Sequence, residues 1–146
     1  MPEPLLDLSA PTHIHVVGVG GAGMSAIAEV LVSMGHTVSG SDLKASSGLE
    51  RLAALGVDVR VGHAADQVGG ADLVTRSTAV PDGNPECRVA IERGIPLLSR
   101  AEVLGAISGL RDTIAVAGTH GKTTTASMLA LVVWRLVSNL LSESFH

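Results

Sequence analysis

The sequence is short of cysteine, of charge, of aromatic rings and of long apolar runs, and these shortages narrow what the chain can be. One cysteine, Cys87, stands among 146 residues. No internal disulfide can form, and no metal-ligand spacing surrounds it, so a reducing compartment is the simplest setting. Lys and Arg number 10 against 14 Asp and Glu, a formal net charge of −4, which leaves no basic footprint for general nucleic-acid binding. The most apolar stretch, residues 128–141, is broken by Arg135, Ser138 and Asn139 and falls short of the roughly 18 to 20 residues that cross a bilayer. Residues 1–11 carry Glu3 and Asp7 and lack the basic start and apolar run of a targeting signal. The expectation is a cytoplasmic protein with no membrane and no nucleic-acid partner. The lone Trp and the lone Phe both fall within residues 134–146, a shift in composition that marks this tail as atypical.

What is present is glycine, at 17 positions, and apolar residues at 46%, the profile of a compact protein built on a buried sheet. The length allows one domain with a substantial core and is too short for two full-sized ones. Two glycine loops stand out. After a polar leader, 1–12, the β-branched run 13–17 ends in Gly18-Val19-Gly20-Gly21-Ala22-Gly23-Met24-Ser25, and a helical pattern follows over 24–34. Gly18, Gly20 and Gly23 satisfy G-x-G-x-x-G, whose glycines permit a tight turn, close backbone approach to a diphosphate and close helix packing. A second strand, 37–41, ends at Asp42, about twenty residues on, where a carboxylate can accept from a ribose hydroxyl. Taken alone, this pattern reads as NAD binding, or as a glycine turn that only packs.

The second loop is Gly118-Thr119-His120-Gly121-Lys122-Thr123-Thr124, expected between a strand at 113–117 and a helix over 126–133. That order places free amide groups and the positive end of a helix dipole where phosphate oxygens bind. Lys122 would add a point charge on the terminal phosphates, and the Thr123 hydroxyl could help hold Mg²⁺. Val116 occupies the place of the first glycine in G-x-x-x-x-G-K-S/T, so the general pattern is incomplete.

Between the loops the βα alternation continues. A helix over 49–55 stops at Gly56, and strands are expected at 57–61, 71–74 and 96–98. His63 follows the first of these strands, at the edge where ligands of open parallel sheets collect; an exposed loop histidine is an equal reading. Ser77, Thr78 and Ala79 follow the next, placed either to bond a base or sugar or to cap their own turn. His13 and His15 fall on one face of the first strand, where they read as polar residues at a strand entrance. Asn84-Pro85 starts a helix, and Ser99 with Glu102 forms a capping box for another that runs to about 110. The expected class is α/β: a Rossmann-like open parallel sheet with helices on both faces, followed by an incomplete P-loop segment.

With both loops in view, the chain resembles the bacterial Mur ligases over about residues 13–133. The resemblance rests on the two loops, on Ser39-Gly40-Ser41-Asp42, on Ser77-Thr78-Ala79-Val80-Pro81, on Asn84-Pro85-Glu86, and on Arg93-Gly94-Ile95-Pro96 and Arg100-Ala101-Glu102. That family uses a shortened G-T-x-G-K-S/T loop, and His120 looks like the form found in its L-alanine-adding branch. The resemblance implies that Gly18, Gly20, Gly21, Ala22, Gly23, Met24 and Ser25 bind the diphosphate of a UDP-sugar, with Asp42, His63, Ser77, Thr78 and Ala79 near ribose or uracil. It likewise implies that Gly118, Thr119, His120, Gly121, Lys122, Thr123 and Thr124 hold ATP phosphates, with Lys122 catalytic. In the family, ATP and Mg²⁺ convert the carboxylate of UDP-N-acetylmuramate to an acyl phosphate, which the amine of L-alanine attacks.

This divides the chain into a UDP-sugar-binding domain, 13–111, the start of an ATP-binding domain, 112–133, and the tail, 134–146. The remaining ATPase and amino-acid domains of such ligases have no counterpart here. The expectation is a chain that binds UDP-sugar but does not make the amide, with residues 113–141 either disordered or packed against a second copy in a homodimer. Two other readings compete: an NAD-binding oxidoreductase or sensor, and a non-enzymatic UDP-sugar-binding module.

Overall fold

The computed structural model of the chain describes residues 6–110, 112, 114 and 116–143. The chain divides into two compact units, 1–111 and 112–146. In the first, β1 (His13–Val17), β2 (Thr37–Asp42), β3 (Asp58–Val61), β4 (Leu73–Arg76) and β5 (Leu97–Ser99) form a five-stranded sheet in the order β3-β2-β1-β4-β5. Every pairing is parallel. The helices are α1 (Ala22–Ser33), α2 (Ser47–Ala54), α3 (Pro85–Glu92) and α4 (Arg100–Gly109), with a single 3₁₀ turn at Ala65–Val68. The order reverses at β1, which has β2 on one side and β4 on the other. In open α/β sheets that switch point, at the carboxyl ends of the strands, is where a crevice forms.

The alternation along β1 assigns the two faces of the sheet. Ile14 and Val16 join Met24, Ile27 and Leu31 of α1, Leu49 and Leu52 of α2 and Val103 of α4 in one core. Val17 and Val74 pack with Val68, Cys87 and Ala90 in a second core, under α3 and the 3₁₀ turn. Fully burying a side chain such as Ile27 or Leu31 is worth about 1.5–3 kcal/mol, so the open sheet is held by both layers. The helix ends are specified locally. Asn84 Oδ1 accepts from the Glu86 and Cys87 amides with Pro85 at the first helical position, and Ser99 and Glu102 form a reciprocal capping box. One glycine is fixed by packing: a β-carbon on Gly40 would stand 2.8 Å from Val19 Cβ and 3.0 Å from the Val16 carbonyl oxygen. The middle of β2 therefore lies directly against the first loop.

The parallel sheet and the two-faced helices match the expected class. β1 falls where the sequence places it, and the limits of the other strands lie within two residues of those read in the sequence, with β4 running on to Arg76. In the second unit the expected strand at 113–117 is not found among the described residues 114, 116 and 117; Thr113 and Ala115 lie outside them. A strand is a member of a ladder, and no second strand among the described residues of this unit pairs with it. The helix expected over 126–133 is longer: α5 spans Lys122–Glu143, continuing into the atypical tail, because nothing between 126 and 143 is a glycine or proline to stop it. Residues 144–146 lie outside the described residues. Among those described, no helix is long and apolar enough to cross a membrane.

Candidate functional site

The first glycine loop turns at the end of β1, with Gly18 at φ +78°, a conformation that favours glycine. The Gly18 and Val19 amides donate to the Ser41 carbonyl oxygen at 2.8 and 3.0 Å. The Gly20 amide donates to Asp42 Oδ2 at 2.9 Å. Gly21 caps α1, and its carbonyl accepts from the Met24 and Ser25 amides at 3.0 and 2.8 Å. The amides of Ala22 and Gly23 open the helix ahead of its first internal bond. They face outward at the positive end of the dipole, where an anion is favoured. Met24 is buried in the core and the Ser25 hydroxyl turns back to the Ala22 carbonyl at 3.1 Å. These two residues contribute helix geometry to the loop rather than free side chains.

A second wall comes from the segment after β4. The Ser77 amide donates to the Val17 carbonyl oxygen at 3.1 Å, and the Ser77 hydroxyl accepts from the Ala79 amide at 3.3 Å, so Ser77 does cap its own turn. Thr78 and Ala79 are exposed at its tip. A β-carbon on Gly18 would lie 3.2 Å from Ser77 Cβ and 3.1 Å from Val80 Cγ2, so the glycine turn and the Ser77 turn are in contact. Arg76 anchors that turn, pairing with Asp82 Oδ1 at 2.6 Å and donating to the Val80 carbonyl at 3.4 Å. On the other side of the loop, a β-carbon on Gly23 would be 2.5 Å from Arg100 Nη1. The guanidinium of the first residue of α4 thus rests on the opening of α1, with no carboxylate partner among the described residues.

The third wall is the carboxyl edge of β2 and β3. Gly62 follows β3 with its amide on the Asp42 carbonyl oxygen at 2.7 Å, which sets His63 beside Ser41. His63 Nδ1 lies 2.9 Å from Ser41 Oγ, and the Ser41 hydroxyl donates to Glu86 Oε2 at 2.6 Å. Glu86, on α3, is fully buried. Its carboxylate also accepts from the Ala64 amide at 3.1 Å and lies 3.4 Å from His15 Nε2. With its amide nitrogen turned inward, Gln67 donates to Glu86 Oε1 at 2.8 Å. Burial pushes the Glu86 carboxyl up, but the donors from His15, Ser41 and Ala64 outweigh it and hold it below the ordinary carboxylate value. Beyond His15 the chain continues: His15 Nδ1 meets Ser39 Oγ at 2.8 Å, Ser39 Oγ meets His13 Nε2 at 3.0 Å, and His13 Nδ1 donates to the Gly70 carbonyl at 2.8 Å. His13 and His15 do share a face, as alternation implied, but His15 is wholly buried rather than at an entrance.

In the second unit, Gly118 (φ +150°) and Gly121 (φ +75°) shape the loop, α5 starts at Lys122, and the Thr125 amide closes the first turn on the Gly121 carbonyl at 3.0 Å. Lys122 Nζ donates to the Gly118 carbonyl at 2.6 Å. The open amides of the first turn and the adjacent ammonium suit phosphate oxygens. Thr119, His120, Thr123 and Thr124 are exposed. Among the described residues no group of three or more His, Cys, Asp or Glu could hold a metal ion.

Residues 13–111 match the family described as Mur ligase family, catalytic domain. The chain belongs to the Mur ligase family. It is 56% identical over 119 residues to the UDP-N-acetylmuramate–L-alanine ligase of Solidesulfovibrio magneticus and 57% identical over 121 residues to that of Aromatoleum aromaticum. These alignments cover 82% and 83% of this chain and 26% of each relative, so the chain spans about a quarter of the length of these curated relatives. Among solved structures it is similar to the UDP-N-acetylmuramate-alanine ligase of Thermotoga maritima, with 38% identity and a TM-score of 0.79 over 86% of this chain and 30% of that one. It is also similar to a UDP-N-acetylmuramate:L-alanyl-gamma-D-glutamyl-meso-diaminopimelate ligase from Neisseria meningitides, with 37% identity and a TM-score of 0.77 over 85% of this chain and 40% of that one.

Set in this Mur ligase frame, the three walls bring together Gly18 to Gly23, Asp42, His63 and Ser77 to Ala79, and they add residues to which the sequence reading gave no site role: Ser41, Glu86 and Arg100. Glu86 follows Asn84-Pro85, so in sequence it reads as an acid in a first helical turn, a common place for a solvated carboxylate. Its burial follows from α3 packing across His15 and Ser41, a relationship between distant segments that no local pattern carries.

Proposed function

We propose that residues 13–111 bind the UDP portion of UDP-N-acetylmuramate, and that the chain is the corresponding part of an ATP-dependent ligase that joins L-alanine to it. The observation that carries this reading is the contact of the Gly18 turn with the Ser77–Val80 turn at the sheet's switch point, beside the open amides of Ala22 and Gly23. Such a crevice suits a diphosphate flanked by a nucleoside. The two solved relatives described above differ in the second partner their names carry and share UDP-N-acetylmuramate, which supports assigning that substrate to the shared region. Asp42 has one oxygen committed to Gly20, leaving the other for a ribose hydroxyl. Arg100 supplies the cation at the diphosphate.

Residues 112–133 are read as the opening of the ATP-binding domain. Gly118, Gly121, Lys122 and the first-turn amides would hold phosphate oxygens, and when bound, ATP supplies the phosphoryl group that makes a carboxylate an acyl donor. Thr123 offers one neutral hydroxyl, so Mg²⁺ would depend on phosphate oxygens and water for its other ligands. The chain's own part is to bind and orient the UDP-sugar, with the second unit in a cytoplasmic enzyme completed by segments beyond those matched here. Calorimetric titration of the chain with UDP-N-acetylmuramate and with NADH tests the reading. Binding of the first alone is expected; binding of NADH alone returns the loop to the dinucleotide class. Amide formation from ATP, L-alanine and UDP-N-acetylmuramate by these 146 residues would overturn the view that they are catalytically incomplete.

A further inference from the structure

The Glu86 cluster joins a fully buried carboxylate to a histidine at the ligand edge, and the positions of its protons can be deduced. Ser41 Oγ has one proton, and its 2.6 Å contact with Glu86 Oε2 takes it, because an ionised carboxylate only accepts. Toward His63, at 2.9 Å, the same oxygen is therefore an acceptor. A second acceptor faces the same ring atom, since Glu86 Oε2 itself lies 3.4 Å from His63 Nδ1. Both neighbours demand a proton on Nδ1. In the neutral ring the other nitrogen, Nε2, then carries the lone pair. The ring is only 12% exposed; Nδ1 is turned inward, and Nε2 has no partner among the described residues and is not among the buried unpartnered atoms.

We propose that Glu86 is a positioning residue: through Ser41 it fixes His63 in the Nδ1–H form and presents Nε2 as a hydrogen-bond acceptor to a donor on the bound nucleotide. This rests on the uridine-nucleotide reading above and adds to it a direction. The site is built to receive a hydrogen, which a uracil ring offers at its imide N–H and a ribose at its hydroxyls. A cytosine ring, whose N3 is an acceptor, would leave two lone pairs opposed if the contact is to the base. The carboxylate is locked on every side, by Ser41, Ala64, His15 and Gln67, so it does not turn to satisfy an alternative ring orientation.

The test begins without ligand. Long-range ¹H–¹⁵N spectra of the full chain, with His63 assigned through H63Q, distinguish the two tautomers; Nδ1–H is expected, and an Nε2–H ring overturns the proposal. In E86Q, which keeps the side chain's shape, the Nδ1–H fraction should fall, a change that a merely structural role would not produce. An unchanged fraction overturns the proposal. Should E86Q not fold, S41A replaces it, since Glu86 alone then faces Nδ1 at the longer distance and the same fall, though smaller, is expected. Titration with UDP, 3-methyluridine diphosphate and 2′-deoxy-UDP then locates the donor. Losing one hydrogen bond weakens binding by about three- to tenfold, so one analogue should bind that much more weakly than UDP, and the difference should vanish in H63Q. Equal affinities for all three exclude the imide N–H and the 2′-hydroxyl, and an equal affinity for 3′-deoxy-UDP as well overturns the acceptor role. Failure of UDP itself to bind refutes the nucleotide reading, a result separable from the tautomer found in the free chain.

Discussion

The Gly20 amide donates to Asp42 Oδ2 at 2.9 Å, and a β-carbon at position 20 would stand 2.8 Å from that same oxygen. The loop and the end of β2 are thus joined by one charge-assisted bond that leaves room for hydrogen and nothing larger. G20A is expected to push Asp42 away and to break the bond, destabilising the fold by about 1–3 kcal/mol and weakening UDP binding more than tenfold. Denaturant unfolding and calorimetry on the same variant would measure both. D42N keeps the side chain's size but weakens the bond, so it should show the binding loss with a smaller stability loss.

Removal of the Glu86 carboxylate has a cost of a different kind. E86A leaves the Ser41 hydroxyl and His15 Nε2 buried without their acceptor and removes that of the half-buried Ala64 amide. Orphaned buried donors, at about 1–3 kcal/mol each, together with the space left by the side chain, place the expected destabilisation at about 3–5 kcal/mol. Urea unfolding would show it as a lower midpoint with an unchanged slope.

The same carboxylate makes stability depend on pH with a definite sign. Its folded value is depressed below the ordinary 4.5, so its contribution is present above the unfolded value and is lost as pH falls through the folded one. Between pH 7 and about pH 5 this group should leave stability flat; below about 4.5 the native chain should lose stability more steeply than E86Q. Parallel curves for the two proteins would show that Glu86 is not the group that titrates.

Arg100 is exposed and has no carboxylate partner among the described residues, so R100Q should leave thermal stability within about 0.5 kcal/mol of the parent. If its charge serves the diphosphate, UDP affinity should fall by about tenfold at low salt and by less at high salt, since screening weakens what the guanidinium contributes. Titration at two salt concentrations reads this directly.

In the second unit Met128, Leu131 and Trp134 stand 66%, 69% and 74% exposed on α5. Exposed apolar groups on one helix favour association, so light scattering of the chain should show mass above that of a monomer, falling toward it in L131K. A monomer at all concentrations would remove the expected pairing of copies.

Much of the first unit was legible because its signals are local. The glycine spacing after a β-branched run, the Asn84-Pro85 start and the Ser99–Glu102 box each act within a few residues, and each appears where it was expected. What was not legible depends on segments far apart in sequence. His15 reads as a polar residue at a strand entrance until α3 is packed over it; Glu86 reads as a solvated helix-start acid until His15 and Ser41 close around it. The strand expected at 113–117 falls partly on Thr113 and Ala115, outside the described residues; a strand also requires neighbours, and this unit provides none among the described residues.

Gly40 has no side chain to offer a ligand, and Val19 and the Val16 carbonyl leave no space for one there. In a saturation library screened for solubility alone, position 40 should therefore tolerate no other residue. Position 42, where an asparagine keeps the shape, should tolerate substitution under the same screen and be depleted only when the screen also demands nucleotide. The contrast between these two neighbouring positions would separate what the sheet requires from what the crevice is for.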